Sequence, residues 1–267
     1  MEKRVYNPEG SALRRDQLEL LSMLKIVDGI CRDNKILWWL SSGSLLGAAR
    51  HKGFIPWDDD LDIVMLKRDC KRLEKILLKM NSEEFVYHCM KNDVEYVNGF
   101  GKFRKKKGRI HSSNSRNEYY KWAGIGLDVF SIEKTNYRAA QIADVVYLKL
   151  RWHAGNIKND CIRRILIRTV EIVCYGFVFP VLRIYGLVNP NKEYHYTLGT
   201  GWSKSTFFEK DIFPLTTAEF EGELMPVPKN VDAYLTKIYG DWRKLPSEED
   251  IKQSIHCQEY KDEIYGK

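Results

Sequence analysis

The chain predicts an α+β fold, a mixed sheet with flanking helices followed by a mainly helical second region. Three observations predict it. Up to about residue 135 the hydrophobic period switches in the order helix, strand, helix, strand, helix, and then a set of strands. From Tyr137 to Tyr185 it changes to long helical patterns with few turn signals. With 267 residues, 44% hydrophobic and 30% charged, the chain has ordinary soluble composition and enough length for one large domain or two small ones. The change of character divides it into a core over 1–135 and a second region over 136–267.

The elements follow in order. Leu20, Leu24, Val27 and Cys31 recur at helical spacing among charged residues, which predicts an amphipathic helix over 16–31. Ile36–Leu40 reads as a short apolar strand, ended by Gly43 and Ser44; Ser44–Arg50 is long enough for two helical turns. Asp60–Met65 alternates acidic and apolar residues like a strand, and Lys67–Met80 returns to helix through Leu73, Ile76 and Leu77. Phe85–Met90, Tyr96–Arg104 and Ile125–Ile132 read as strands, and Val231–Tyr239 as a helix. Ile172–Val188 is strongly apolar but broken by Pro180 and Arg183, short of a clean span of about 20 apolar residues. It reads as buried helices, with a helical surface lying on a membrane as the alternative.

The most informative stretch runs from Gly43-Ser44-Leu45-Leu46-Gly47-Ala48-Ala49-Arg50 to Pro56-Trp57-Asp58-Asp59-Asp60-Leu61-Asp62. Four carboxylates crowd into residues 58–62 and lead into an apolar run, which is unfavourable unless a cation neutralises them. On a strand, Asp60 and Asp62 face one side about 7 Å apart, a spacing that suits Mg²⁺ or Mn²⁺ shared with phosphate. Asp128, the one ionised residue in its apolar strand, is the candidate third ligand. Asp58 and Asp59 join the metals, hold the turn, cap a helix or pair with Arg50. Gly43 and Ser44 suit close approach to a phosphate at a helix start; Arg50 is a candidate for the same phosphate. The pattern is neither a P-loop nor a dinucleotide fingerprint.

A basic run follows. Lys102 and Arg104 alternate with Phe103 and are candidate phosphate or acceptor contacts, while Lys105, Lys106, Lys107 and Arg109 read as a mobile, solvated turn. The net charge of +7 fits an anionic partner, but a single basic run without a binding module excludes a nucleic-acid reading. The six histidines lack ligand spacing and read as structural, with His111 and His195 kept as substrate-contact candidates. Trp57, Tyr119, Tyr120 and Trp122 are the aromatics nearest the acids in sequence, and aromatic faces suit a quaternary ammonium. Six scattered cysteines without paired spacing argue against a disulfide framework or zinc knot. They favour a reducing cytoplasm, as does the charged start MEKRVYNPEG, which reads as lacking a secretory signal.

Together these pieces resemble the nucleotidyltransferase superfamily, and Gly43–Met65 is similar to the signature of the LicD family, related to the fukutin-type phosphoribitol transferases. Gly126-Leu127-Asp128-Val129-Phe130 fits the family's later acidic strand; Phe220-Glu221-Gly222, Pro226-Val227-Pro228 and Tyr239-Gly240-Asp241-Trp242 resemble its closing motif. The resemblance implies a nucleotidyltransferase-like catalytic core in 1–135 and a closing segment in 136–267 that contributes to the substrate site. It implies metal-dependent transfer of a phosphoryl-alcohol, phosphocholine first, from a CDP-alcohol to a surface-glycan precursor. Such glycans include teichoic acid and lipopolysaccharide, and CMP is released. Asp60, Asp62 and Asp128 would be catalytic and hold the metal; Gly43, Ser44 and Arg50 would contact donor phosphate. Asp58, Asp59, Trp57, Lys102, Arg104, Trp122 and Glu221 are candidate substrate contacts, and the acceptor is a glycan or lipid-linked glycan, reached in the cytoplasm or at the inner membrane face. The alternatives are an NMP transferase acting from an NTP on a small molecule, a non-catalytic scaffold of the same fold, and a membrane-bound assembly factor.

Overall fold

The computed structural model describes residues 6–108, 119–188, 193–255 and 257–265. Its first helix, α1 (Ala12–Asp33), starts a turn earlier than the apolar spacing predicts. The Ser11 hydroxyl accepts the Arg14 backbone N–H, a side-chain cap that satisfies one orphan donor. Leu13, Leu20, Leu24, Val27 and Cys31 form its buried stripe. After β1 (Trp38–Leu40) comes α2 (Ser42–His51), ended by Lys52 in the left-handed conformation at φ 55°. Then follow β2 (Asp62–Leu66), α3 (Lys67–Leu77), β3 (Phe85–His88), β4 (Gly101–Lys105) and β5 (Gly126–Lys134).

Differences from expectation are concentrated where turns meet strands. The strand expected from Asp60 begins at Asp62, and the one expected from Tyr96 begins at Gly101. Apolar content upstream of Gly101 reflects aromatic packing in a loop, since Tyr96 is fully buried between His88 and Tyr120.

β5 is the axis of the sheet. It pairs parallel with β2 along Asp128–Ile132 and antiparallel with β4 along Gly126–Val129. β1 extends the sheet beyond β2, and β3 beyond β4. The far end of β5 pairs with β6 (Glu193–Tyr196), which carries β7 (Phe207–Phe208), so the sheet runs across the 135 boundary. One apolar core joins α1, the sheet and C-terminal residues such as Tyr234, Leu235 and Ile251.

Between β5 and β6 rise α4 (Tyr137–Gly155), α5 (Asp160–Val173), a π-helical turn (Cys174–Val178) and α6 (Phe179–Gly186). They share a small separate core of Ala140, Ala143, Tyr147, Cys174, Phe179 and Leu198. The expectation of buried helices over Ile172–Val188 is not met: Ile172, Phe177, Val181, Ile184, Leu187 and Val188 are all exposed. Among the described residues, only the inner stripe has a partner layer. The C-terminal part adds α7 (Glu209–Ile212), the hairpin β8 (Thr216–Phe220) and β9 (Glu223–Val227), α8 (Val231–Tyr239), α9 (Glu248–Ser254) and α10 (Gln258–Tyr265). α8 has the bounds its periodicity predicts and packs on α2.

Candidate active site

The parallel pairing of β2 with β5 sets Asp62 directly beside Asp128. On the other edge of β5, Lys102 is the register partner of Asp128. Register partners on neighbouring strands point to one face, so Asp62, Asp128 and Lys102 form a row across three strands. Like charges opposite one another are destabilising, and here one ammonium serves both. Lys102 Nζ lies 2.5 Å from Asp128 Oδ1.

The electrostatics record that shortage of cations. Burial raises the Asp62 carboxyl well above its ordinary range, and the charges of Asp128, Asp60 and Asp58 push the same way. Asp128 is raised to about 6 by burial, with Lys102 opposing and Asp60 reinforcing. For Lys102 burial works against the charge, but Asp128 and Asp60 outweigh it and hold the ammonium above its usual value.

Asp58, Asp59 and Asp60 lie on the loop before β2, not on the strand. Their carboxylates bring three oxygens within 4.8 Å of one another, close enough to hold one cation. The i, i+2 strand geometry expected of Asp60 and Asp62 is therefore replaced by a loop cluster facing a strand pair. Asp58 is raised by burial, then by Asp60 and Asp59.

α2 presents its N-terminus to this loop. A Cβ on Gly43 would stand 2.5 Å from Asp58 Oδ2, so glycine is what lets the helix start approach the carboxylate. The preceding Ser42 has φ 46°, a left-handed conformation that costs a non-glycine residue energy at the junction of β1 and α2. Ser44 is buried, and its Oγ accepts the Asp62 backbone N–H at 2.8 Å. It fixes where β2 starts, a duty that its sequence position does not disclose.

The remaining predicted residues separate into groups. Among the described residues Arg50 makes no ion pair with the aspartates; its guanidinium donates to the Lys244 carbonyl at 2.8 Å, tying α2 to the closing segment. Glu221 accepts from Arg14 at 2.8 Å and from the Phe54 N–H at 3.1 Å, pinning the loop that leads to the acids. Arg104 is buried and donates to the Trp122 carbonyl at 2.6 Å and toward His88 Nδ1. His88 in turn pairs with Asp93 at 2.8 Å.

The four aromatics do not form one box. Trp57 packs on Tyr6 and His51, Tyr120 and Trp122 surround His88, and Tyr119 faces Arg163. Lys105 and Lys106 are not a free turn: Lys105 pairs with Glu19 at 2.7 Å, and Lys106 donates to the Ser82 carbonyl. His195 is buried, with Nδ1 against the Ser203 carbonyl. Arg109 and His111 lie outside the described residues.

Two tyrosines that sequence reasoning passed over lie within electrostatic reach of the acids. Burial raises the Tyr239 phenol, and the charges of Asp62 and Asp58 add to it. Burial likewise raises Tyr96, with Asp128 the largest charge acting on it. Tyr239 opens the Tyr-Gly-Asp-Trp stretch at the end of α8, so the sequence signal was present but drew attention to its aspartate.

The structure therefore defines a nucleotidyltransferase-type sheet carrying an acid cluster beside a glycine-led helix start. Residues 35–154 match the family model LicD/FKTN/FKRP, nucleotidyltransferase domain. It is 27% identical over 264 residues to the lipopolysaccharide cholinephosphotransferase LicD of Haemophilus influenzae, covering 92% of this chain and 97% of that protein. It is 45% identical over 60 residues to an uncharacterized protein of Rickettsia prowazekii, 23% of that protein's length. A 52-residue stretch is 40% identical to the human ribitol 5-phosphate transferase FKRP, 10% of that protein.

Proposed function

We propose that the chain transfers a phosphoryl-alcohol, phosphocholine first, from a CDP-alcohol to a hydroxyl of a glycan or lipid-linked glycan, releasing CMP. The observation that carries this reading is the Asp62–Asp128 pair in parallel register, served by one lysine and faced by the Asp58–Asp60 loop. Similarity to a lipopolysaccharide cholinephosphotransferase along nearly the whole chain supports the choice of group.

The donor set is all oxygen and strongly anionic, which fits Mg²⁺ or Mn²⁺ and does not fit a soft metal. Asp60, Asp62 and Asp128 would hold the ion, with Asp58 and Asp59 at its edge. When bound, it supplies the positive charge that lets these carboxylates and a diphosphate share one site. The unpaired N–H groups at the start of α2, around Gly43 and Ser44, receive donor phosphate oxygens. Lys102 offsets charge on the same face.

In the reaction the acceptor oxygen attacks the phosphorus that bears the alcohol. The bond from that phosphorus to the oxygen bridging it to the CMP phosphate breaks, and the electron pair leaves on CMP. A carboxylate of the set takes the acceptor proton. Phosphoryl transfer needs mainly positioning and charge neutralisation, which a fixed row on a sheet provides. Tyr239 brings the closing segment of 136–267 to the site and forms part of its wall.

The test is product release from CDP-choline, CDP-ethanolamine, CDP-glycerol, CDP-ribitol and CTP, with Mg²⁺ or EDTA. CMP from one CDP-alcohol, lost in EDTA, is expected. Pyrophosphate from CTP with a small-molecule acceptor would instead support NMP transfer.

A further inference from the structure

We propose that the outer face of α5, the π-helical turn and α6 lies on an anionic lipid bilayer as a peripheral contact. Asp160–Gly186 is long and apolar enough to cross a membrane by length and composition, yet only 22% of its most apolar window is buried. It is therefore not a core helix. Its exposed stripe runs through Ile165, Ile172, Phe177, Val181, Ile184 and Leu187, each at least 59% exposed. The π-helical turn keeps that stripe in phase: exposed Ile172 and Phe177 are five residues apart, as are buried Cys174 and Phe179 on the inner side. One apolar face thus runs the length of the segment, and a contiguous exposed apolar face of this kind marks an interaction surface.

The inner face argues against a span. Cys174 and Phe179 pack on α4, and Arg183 is bonded to Glu133 of β5, so the helix is fastened along its length to the folded unit.

Charge selects an anionic surface. Residues 137–188 hold eight Lys and Arg against three Asp and Glu. Two of those acids are turned inward: Asp144 accepts backbone N–H groups of Gly199, Gly201 and Ser203, and Glu171 is buried against Arg168. A cavity of about 890 Å³ separates the segment from α3, with Ile172 and Tyr175 on one wall and Lys71, Lys75 and Lys79 on the other. A second copy of the face would oppose positive to positive. Anionic head groups meet the lysines while acyl chains meet the apolar stripe. Trp152, 57% exposed at the end of α4, is the amphipathic kind of side chain that seats at head-group depth.

The inference stands apart from the transferase reading, and its test separates the two. The full chain is floated with vesicles of phosphatidylcholine alone or equimolar with phosphatidylglycerol, at low and high salt, and CMP release is measured in solution on the same samples. Flotation with the anionic vesicles, reversed by salt, is expected. Phe177→Asp/Ile184→Asp should reduce it at least about tenfold, and Lys71→Glu/Lys75→Glu should remove the preference for anionic lipid. Circular dichroism and CMP release should be unchanged in both. Wild-type chain that stays off anionic vesicles overturns the proposal, as does a dimer broken by Phe177→Asp/Ile184→Asp. Retention on membranes through alkaline carbonate extraction would replace it with an integral segment.

Discussion

The acid row and the α4–α6 platform depart from ordinary folding in opposite ways. At the row, the chain places Asp62 beside Asp128 with Lys102 as the cation of the row, which raises the carboxyls above their usual range. At the platform it leaves Ile172, Phe177 and Ile184 open to solvent. One region buries charge and the other exposes apolar surface. Each feature costs stability in the isolated molecule, and each is relieved by something the chain binds: a cation with a diphosphate at the row, a lipid surface at the platform.

Substitutions should separate the two. The largest effect on stability belongs to Lys102→Met, which leaves Asp128 and Asp62 without their ammonium. A loss of about 3 kcal/mol is expected in EDTA, measured by urea unfolding, and Mg²⁺ should restore part of it. An equal loss with and without Mg²⁺ would mean that the row does not share a cation.

Acidification should act in the same place. Asp128 is raised to about 6 from an ordinary 3.8, and Asp62 and Asp58 move in the same direction. A carboxyl held above its unfolded value binds its proton more tightly when folded. Metal-free stability should therefore begin to rise as pH falls through about 6 and go on rising toward 3.8, by on the order of 2–3 kcal/mol in all for Asp128. Asp128→Asn should flatten that rise in thermal melts taken in EDTA. Saturating Mg²⁺, which needs the ionised form, should oppose it.

Glycines give a paired comparison of smaller size. Gly43→Ala puts a methyl 2.5 Å from Asp58 Oδ2, so the carboxylate must shift. CMP release should drop about 100-fold with stability changed by about 1 kcal/mol. Gly176→Ala, in the platform, meets nothing within 4 Å. It should stabilise by about 0.5 kcal/mol and leave CMP release unchanged.

The sequence made part of this plain. Asp62 and Asp128 were legible because an ionised residue inside an apolar strand has few inexpensive explanations, and α8 because its period is unbroken from Val231 to Tyr239. Asp60 was not placed correctly, since alternation of acidic and apolar residues reads alike in a strand and in the loop that feeds it. Nearness along the chain does not fix nearness in space for the aromatics either: the fold sends Trp57 to His51 and Trp122 to His88. Lys105 read as free because its partners, Glu19 and Glu84, are distant in sequence. The platform was misread because a period of 3.6 identifies a stripe without saying whether anything covers it.

The central claim is that the Asp62–Asp128 pair is the working site of a CDP-alcohol phosphotransferase. Its most direct test is CMP release from CDP-choline in Mg²⁺ by the full chain, beside Asp62→Asn and Asp128→Asn. Both substitutions keep the shape of the side chain and remove the charge that the row finds costly. The account predicts that each lowers CMP release at least about 1000-fold while raising the metal-free melting temperature. CMP release that survives either substitution, or is lost only together with the fold, would contradict it.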